Sequence, residues 1–550
     1  MEFLRKIRIE LMIFLILFIT YSYFHQGGGW NQNSRFAQVR SIVETGQFEI
    51  NNYVLYRFVA DGNGKTELRR LPLPPGLQLE QISLNGSTGD VSLFEGRLYP
   101  NKPPGTVLTA VPIYFAIYWI ERALGVDPDD WWPLTINAYL TTVFSVGLLT
   151  ALGCVVFFRI SLRLFPLAPA WAHAASTLTF GLGTLVLPFA TMLFDHDIVA
   201  TLSLFGFSIL LVEKRSKFTL PRSAIMLIAA GMLVGLTVVM NYSSVISLTC
   251  LTVYMLWAAR PKSKVIFYLA GLIVPLAVLG WYHRACFGSV LANASTYQYE
   301  IFQGKDTLLL GMFGLPQFDV MIKLLFSSYR GLFFTSPVLA LSCIGFWLMA
   351  TRYKKHAEVA LFAAIFIGFL LMNSSYNNWH SGWSIGPRYL IPALSFLSLP
   401  LTVVFHKLPR VALTLATLSG VMMLLITAVD PQPPSGSQHP LTQHILPLFS
   451  GATLTFNIFG PPVIRGPVSA NPIGFYESWF YPVFHPVIIE RQWNSFNLGE
   501  FLWAGSLWSL LPLFLVLALG LSAVWYWSQR SGRATLSPSD EKTPSGRDEA

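Results

Sequence analysis

Long apolar stretches with few charged residues recur along most of the chain. The first stretch runs from Leu11 to Phe24, and 105–120 is a shorter candidate. Further stretches long enough to cross the hydrocarbon core of a bilayer lie at 132–158, 171–194, 196–212, 222–240, 242–258, 265–282, 332–350, 359–375, 387–405, 411–428 and 502–528. This pattern predicts an all-α polytopic membrane protein, because an α-helix satisfies its own backbone hydrogen bonds in lipid.

The expected side of the short basic loops indicates whether 105–120 crosses the membrane. If it did, loops such as 213–217 and 352–355 would lie outside, against the excess of Lys and Arg expected in cytoplasmic loops. If it lies along the surface, or dips in and returns, these loops and both termini are cytoplasmic. We therefore predict twelve spanning helices, with 105–120 as a juxtamembrane element.

The predicted spans leave long outer segments. In the first of them we expect an amphipathic helix from Arg35 to Glu44 and two strand-like runs around a glycine-rich turn within 52–71. We predict one transmembrane domain over 1–528 and a polar, disordered cytoplasmic tail over 529–550. The four outer segments are 26–131, 284–331, 374–388 and 429–501.

Composition agrees with a membrane protein. The chain has 550 residues, of which 53% are hydrophobic and only 12% charged, with a mean hydropathy of +0.52. About 25% of residues are charged in a typical soluble domain. The net charge of +9 then mostly orients the chain in the bilayer, and we expect no nucleic-acid partner.

Several motif classes are missing from the sequence. It has no Walker loop, dinucleotide fingerprint or HExxH motif, which argues against a nucleotide-driven pump and a zinc protease. No small-residue cleavage site follows the first apolar stretch, so we expect a retained helix rather than a signal peptide. The scattered cysteines indicate neither a disulfide framework nor a zinc site; they are Cys154, Cys250, Cys286 and Cys343.

Ionisable residues gather at the outer ends of the predicted spans, which indicates work at the outer surface. Asp90 lies 12 residues before Lys102, so a loop that folds back would let them face one cleft as a general base and a phosphate ligand. A surface acid and a lysine at the membrane edge are the simpler interpretation.

The turn Phe194-Asp195-His196-Asp197 places two acids around a histidine between two spans. Such a group suits a metal or proton site. Equally, Asp195 or Asp197 could cap a helix beginning at Ile198. The two roles can coexist.

The segment 377–388 combines Trp379 and His380 with glycines and Arg388 just before a span. Tryptophan here suits membrane anchoring, whereas arginine offers a planar fork to phosphate oxygens. Arg330 lies at a comparable helix end, where anchoring is the simpler role.

Two stretches of the first outer segment carry a family resemblance. Asn33–Gly46, NSRFAQVRSIVETG, followed by Leu98–Gly105, LYPNKPPG, resembles the first outer loop of polyprenyl-phosphate-dependent glycosyltransferases of the GT-C superfamily. The branch containing protein O-mannosyltransferases and the lipid A aminoarabinose transferase is most similar. FDHD, SSYRGLFFTSPVL and WHSGWSIGPRYLIPAL also look like segments of bacterial members.

The resemblance implies a many-helix body that moves a sugar from a lipid-phosphate donor to a glycan, lipid or protein acceptor outside the cytoplasm. It places the protein in a bacterial inner membrane with a periplasmic or extracellular site. It requires no cofactor and leaves a divalent metal open. The expected donor-phosphate ligands are Lys102, Arg388 and Arg330, and the expected sugar or acceptor pocket comprises His196, His380, Trp379 and Asn31.

The sequence departs from the family where an aspartate usually serves as base, since it has Asn31-Gln32-Asn33 there. We therefore expect Asp90 as the base, with Asp195 and Asp197 next. Two alternatives stay open: an O-antigen ligase or polymerase with a diphosphate-linked donor, and a lipid or sugar transporter.

Overall fold

The computed structural model describes residues 8–60, 66–73, 76, 79, 87–215, 219–298, 302, 308, 312–451, 454–455, 495–503 and 505–534. Most of these residues are helical. The helices are α1 Arg8–Tyr23, α2 Trp30–Thr45, α3 Gly105–Leu124, α4 Trp131–Thr142, α5 Leu148–Leu164, α6 Ala170–Leu182, α7 Val186–Phe189, α8 His196–Arg215, α9 Leu220–Met240, α10 Val245–Ala258, α11 Val265–Phe287, α12 Phe318–Phe326, α13 Leu332–Thr335, α14 Ser342–Thr351, α15 His356–Ser375, α16 Ile391–Ser398, α17 Leu401–Lys407, α18 Pro409–Val429, α19 Leu446–Ser450 and α20 Leu511–Ala534.

Three small antiparallel strand pairs accompany the described helices. They are β1 Phe24–His25 with β6 Phe496–Asn497, β2 Leu55–Ala60 with β3 Thr66–Leu71, and β4 Val91–Phe94 with β5 Arg97–Pro100. The pair β2–β3 confirms the two strand-like runs predicted within 52–71, while the turn between them lies outside the described residues.

Eight described helices are long and apolar enough to cross a membrane, which agrees with a multi-pass protein. They are α3, the continuous pair α4–α5, α8, α9, α11, α15, α18 and α20. A ninth span results if α16 and α17, bent by 51°, are taken together. The predicted count of twelve is not confirmed, because several apolar stretches form shorter helices.

Seven of the eight long helices match predicted spans, since α3 was not among the twelve, and breaks account for three of the five predicted spans that fall short. The stretch 171–194 divides into α6 and α7, and Thr184 bonds the backbone at the break, donating its hydroxyl to Phe180 O at 2.6 Å. Pro337 and Pro400 lie at the breaks before α14 and α17, where a proline cannot donate the backbone hydrogen bond of a continuous helix.

The stretch predicted as juxtamembrane forms α3, which qualifies as a span by its length and hydropathy. Its contacts nevertheless keep both ends at one end of the bundle. A side chain at Gly105 would collide with the backbone of Val239 and Met240, at the end of α9. Farther along α3, Glu121 accepts a hydrogen bond from Asn137 of α4 at 3.0 Å. The placement of α3 along a membrane surface therefore stays a prediction.

The opposite end of the bundle carries ion pairs between helix ends, and we call it the ion-pair end. Lys264 Nζ lies 2.6 Å from Glu213, and Lys214 Nζ lies 2.7 Å from Glu358. Such short pairs in partly buried sites satisfy the charges of these basic loops locally.

Two predicted boundaries change. The helix expected from Arg35 to Glu44 is longer, α2, and it is buried along most of its length rather than amphipathic. The last helix continues to Ala534, so residues 529–534 are helical instead of part of a disordered tail. Residues 535–550 lie outside the described part.

Candidate active site

A cavity of about 560 Å³ lies at the end of the bundle opposite the ion-pair end. The beginning of α8, the ends of α9 and α15, and the loop after β5 form its walls. Five of the residues predicted for the site line it: Asn31, Lys102, Asp195, His196 and Arg388. The fold thus collects side chains that are far apart in the sequence.

Asp195 is the carboxylate that lines this cavity. Arg35 Nη2 lies 3.2 Å from one of its oxygens, and Asn241 Nδ2 donates to the other at 2.7 Å. Burial raises the pKa of Asp195, but the Arg35 guanidinium and the neighbouring His196 and Asn241 outweigh it and lower the pKa to about 2. Asp195 is therefore ionised at neutral pH.

Arg35 is positioned by the first half of α2. Its Nη1 donates to the side chain of Asn31, one helical turn earlier, and to Leu193 O at 3.1 Å. Asn31 at this position can accept that hydrogen bond but cannot take up a proton at neutral pH. The residue therefore orients Arg35 toward Asp195.

His196 begins α8 and is almost completely buried. The rings of Phe189, Phe194 and Tyr389 surround it with centroids 6.0, 5.9 and 5.7 Å away. Its Nδ1 lies 3.5 Å from Asp195 Oδ1. Aromatic packing of this kind holds the imidazole in one orientation.

The β4–β5 hairpin brings Asp90 beside Lys102. Asn101 N donates to Asp90 O at 3.2 Å, which extends the strand pairing by one residue beyond Val91 and Pro100. Lys102 Nζ lies 3.7 Å from Asp90 Oδ1. The predicted approach of these two residues is thus observed. Lys102 lines the cavity, whereas Asp90 is buried behind it and does not.

Arg388 enters the cavity from the loop before α16. Its guanidinium lies 5.3 Å from the ring centre of Phe194 and 5.4 Å from that of Tyr389. Among the described residues no carboxylate forms an ion pair with Arg388, and its Nε has no hydrogen-bond partner.

Arg330, Trp379 and His380 lie together outside the cavity lining. Arg330 is fully buried, stacks on Tyr329 at 4.3 Å and donates to Gly382 O at 2.7 Å. Burial lowers the pKa of Arg330 to about 10, so it stays a cation. Burial and the two nearby arginines lower the pKa of His380 to about 4, which keeps it neutral at pH 7.

Asp197 is also apart from the cavity lining. Helix α8 begins at His196, two residues earlier than predicted, so Asp197 lies inside the first turn rather than at a cap. Both carboxylate oxygens are buried without a hydrogen-bond partner in the described part of the chain. The two acids of the turn 194–197 thus have different environments: Asp195 lines the cavity and has partners, whereas Asp197 does neither.

Three residues that were not predicted for the site also line the cavity: Arg35, Asn241 and Tyr389. Arg35 stood within the quoted family-like stretch, and an arginine four residues after Asn31 on a helix is a readable pairing. Tyr389 also stood within a quoted family-like stretch, next to Arg388, whereas Asn241 carries no comparable pattern, because only the packing of α9 directs it to the cavity.

Metal ligands do not converge in the part of the chain that the structure describes. No group of three or more His, Cys, Asp or Glu side chains there is placed to hold a metal ion. The expectation that the reaction requires no cofactor stays a prediction.

Apolar side chains complete the cavity. Val245 and Ile246 of α10 and Gly368 and Met372 of α15 form one wall, and Val245 is 51% exposed at its edge. The arrangement can thus bind an anionic group at its cations while an apolar chain leaves along α10.

Comparisons with known proteins give only loose structural likenesses. No family model matches the chain, and no curated protein matches it. The crystal structure of ArnT from Cupriavidus metallidurans bound to undecaprenyl phosphate is similar over 96% of this chain and 78% of its own, with 12% identity and a TM-score of 0.44. The same protein in the apo state gives a TM-score of 0.41 at 13% identity, over 94% of this chain and 72% of its own.

An archaeal oligosaccharyltransferase, AglB from Archaeoglobus fulgidus in complex with an inhibitory peptide and a dolichol-phosphate, is also similar. The match covers 80% of this chain and 57% of that one, with 10% identity and a TM-score of 0.40.

Proposed function

We propose that the protein is a membrane glycosyltransferase that moves a sugar from a polyprenyl-phosphate donor to an acceptor outside the cytoplasm. The observation that carries the proposal is the joint presence of Lys102, Arg388 and ionised Asp195 around one cavity with an apolar wall. Each part of that cavity corresponds to one part of such a reaction.

The cations suit the donor phosphate. Arg388 has no acidic partner among the described residues, and Lys102 has only a 3.7 Å contact to Asp90. A phosphate would satisfy the open Arg388 donors with charge-assisted hydrogen bonds. The same contacts would stabilise the negative charge on the departing polyprenyl phosphate.

The apolar wall suits the polyprenyl chain. From Val245 the helix α10 continues with exposed apolar residues such as Val253 and Leu256. An isoprenoid chain could lie along this surface while its phosphate stays in the cavity. A soluble sugar phosphate would gain nothing from such a wall.

The reaction itself needs a base and a leaving-group site, and direct displacement at the anomeric carbon inverts its configuration.

We propose a glycan, lipid or protein acceptor, no required cofactor, and a bacterial inner membrane with both termini in the cytoplasm. The basic loops at the ion-pair end support that orientation.

Purified protein in proteoliposomes, supplied with labelled polyprenyl-monophosphate and polyprenyl-diphosphate sugars and a set of acceptors, tests the proposal. We expect a glycosylated product from a monophosphate donor, and a loss of about 100-fold in kcat/KM for Lys102→Ala. Lys407→Ala, at the exposed ion-pair end, is the matched control. Product from diphosphate donors alone, or uptake without product, would contradict the proposal.

A further inference from the structure

We propose that His196, which lies beside Asp195, is the general base that deprotonates the acceptor hydroxyl. This inference rests on the proposed glycosyltransferase function. It replaces Asp90, the base expected from the sequence, and gives the FDHD turn a defined role. Four features of the cavity support it.

The first feature is the orientation of the imidazole. Its Nδ1 is sealed inside the protein, 3.5 Å from Asp195 Oδ1. Nε2 has no hydrogen-bond partner in the described part of the chain and, unlike Nδ1, is not sealed from the cavity that His196 lines. Nε2 is therefore the nitrogen that a hydroxyl group in the cavity can reach.

The second feature is that both carboxylate oxygens of Asp195 already have partners. Its two oxygens contact Arg35 at 3.2 Å and Asn241 at 2.7 Å, and its pKa is held at about 2. A carboxylate of such low basicity is a poor proton acceptor near neutral pH. Its negative charge, 3.5 Å from Nδ1, stabilises the imidazolium that forms.

The third feature is the position of the remaining acids. Asp90 is buried behind Lys102, and both oxygens of Asp197 are buried; neither acid lines the cavity. Asn31, at the place where the resembled family has its aspartate, is an amide that holds Arg35. Within the described cavity lining, His196 is the remaining side chain with an uncharged ring nitrogen that can accept a proton.

The fourth feature is the arrangement around the imidazole. The three aromatic rings hold it at the cavity wall, and Lys102 and Arg388 line the same space. A donor phosphate on the two cations would place the anomeric carbon in the same cavity as Nε2. This is the proximity that a base and a leaving-group site require.

The step balances in atoms and charge. Nε2 takes the proton of the acceptor hydroxyl while its oxygen forms a bond to the anomeric carbon. The bond between that carbon and the phosphate oxygen breaks, and its electron pair leaves with the polyprenyl phosphate. The phosphodiester monoanion becomes a monoester dianion bound by Lys102 and Arg388, and the imidazolium beside Asp195 releases its proton to water.

Steady-state kinetics of His196→Gln with the monophosphate donor test this role. We expect kcat to fall about 100-fold or more, the range for loss of a positioned base. KM for the donor should change little, because the cations that bind it remain. His406→Gln is the matched control, since His406 is half-buried at the ion-pair end.

A second variant separates chemistry from folding. In His196→Ala, added imidazole should restore part of kcat in a concentration-dependent manner, which a purely structural histidine would not permit. Size-exclusion profiles and thermal unfolding of both variants report whether the fold is retained.

The outcomes separate the two proposals. If the wild-type protein transfers sugar but His196→Gln keeps kcat within about threefold, which corresponds to less than about 1 kcal/mol, the base assignment is wrong and the function stands. A folded His196→Ala variant with low kcat and no rescue by imidazole would also overturn it. If the wild-type protein transfers no sugar from any polyprenyl-monophosphate donor, the proposed function fails, and the base with it.

Discussion

The two halves of α2 carry two arginines five residues apart with opposite surroundings. Arg40, in the second half, lies 2.7 Å from Glu44 and 2.6 Å from Asp129. Arg70 binds the same two acids at 3.1 and 2.7 Å. This cluster is closed, since two cations and two carboxylates satisfy one another.

Arg35, in the first half, belongs to an open cluster. Asp195 is its acidic partner, and the cavity beyond also holds Lys102 and Arg388. Nε of Arg35 and Nε of Arg388 are buried without partners among the described residues. These two nitrogens are sealed from the cavity, but the other guanidinium nitrogens of Arg388 are not, and they have no hydrogen-bond partner among the described residues. An anionic ligand in the cavity would satisfy them.

A structural charge cluster and a binding site on one helix can therefore be distinguished by whether their charges are already paired. A closed cluster should contribute stability, and its loss should leave the chemistry intact. An open cluster should contribute binding and turnover, and its loss should cost little stability. Three substitutions test this contrast.

The largest effect is expected for Arg40→Ala. Removing Arg40 leaves Glu44 and Asp129 partly buried with only Arg70 between them, and breaking a buried ion pair costs about 3–5 kcal/mol. Thermal unfolding in detergent should therefore begin at a markedly lower temperature, with near-normal turnover per folded molecule. The exposed Arg122→Ala on α3 is the control. An unchanged unfolding temperature would show that the closed cluster is not structural.

Arg388→Ala should act in the opposite way. Without this cation the departing phosphate loses charge-assisted donors, and kcat/KM for the lipid-phosphate donor should fall about 100-fold, equivalent to about 2.7 kcal/mol. Stability should hold or rise, because Arg388 lies close enough to the buried Arg330 to lower the pKa of that group. Arg410→Ala, exposed at the ion-pair end, serves as control. A large loss of stability with normal kinetics would place Arg388 among the structural residues.

The smallest effect is expected for Tyr53→Phe in the closed cluster. The substitution removes one hydrogen bond, from the Tyr53 hydroxyl to Glu44 at 3.2 Å, and keeps the ring 4.6 Å from the Arg70 guanidinium. Loss of such a bond costs about 1 kcal/mol. Chemical denaturation and donor kinetics measured side by side should show a slight loss of stability and no change in kcat. A kinetic defect here would extend the active site to the closed cluster.

The apolar pattern predicted most of the helices but not their breaks. Apolar stretches such as 222–240 and 359–375 became α9 and α15 almost as expected, since lipid demands a continuous helix. The stretches 171–194 and 387–405 looked similar but divide at hydroxyl or proline residues. At the first break the Thr184 hydroxyl donates to the backbone of Phe180, and a linear apolar pattern does not record such local bonds.

The sequence predicted those parts of the candidate site that depend on local chain geometry, but not those that depend on packing between distant segments. Lys102 and Asp90 come together because a hairpin closes within one segment, which is a local property of the chain. Trp379 and His380 look equivalent to Arg388 in the sequence, yet only Arg388 lines the cavity. The conformation of the loop before α16 determines which of these side chains reaches the cavity.

The amino-acid sequence by itself determined that the chain is helical, apolar and basic on its short loops, because the bilayer selects for composition and for a periodicity that can be read residue by residue. It also allowed the cavity cations Lys102 and Arg388 to be predicted. Only the tertiary structure decided which groups face one another: Asp195 with Arg35, and His196 with an unsealed Nε2 in a ring of aromatic residues. Proton transfer and phosphate binding depend on distances of a few ångströms between segments far apart in the chain, and those distances are set by packing.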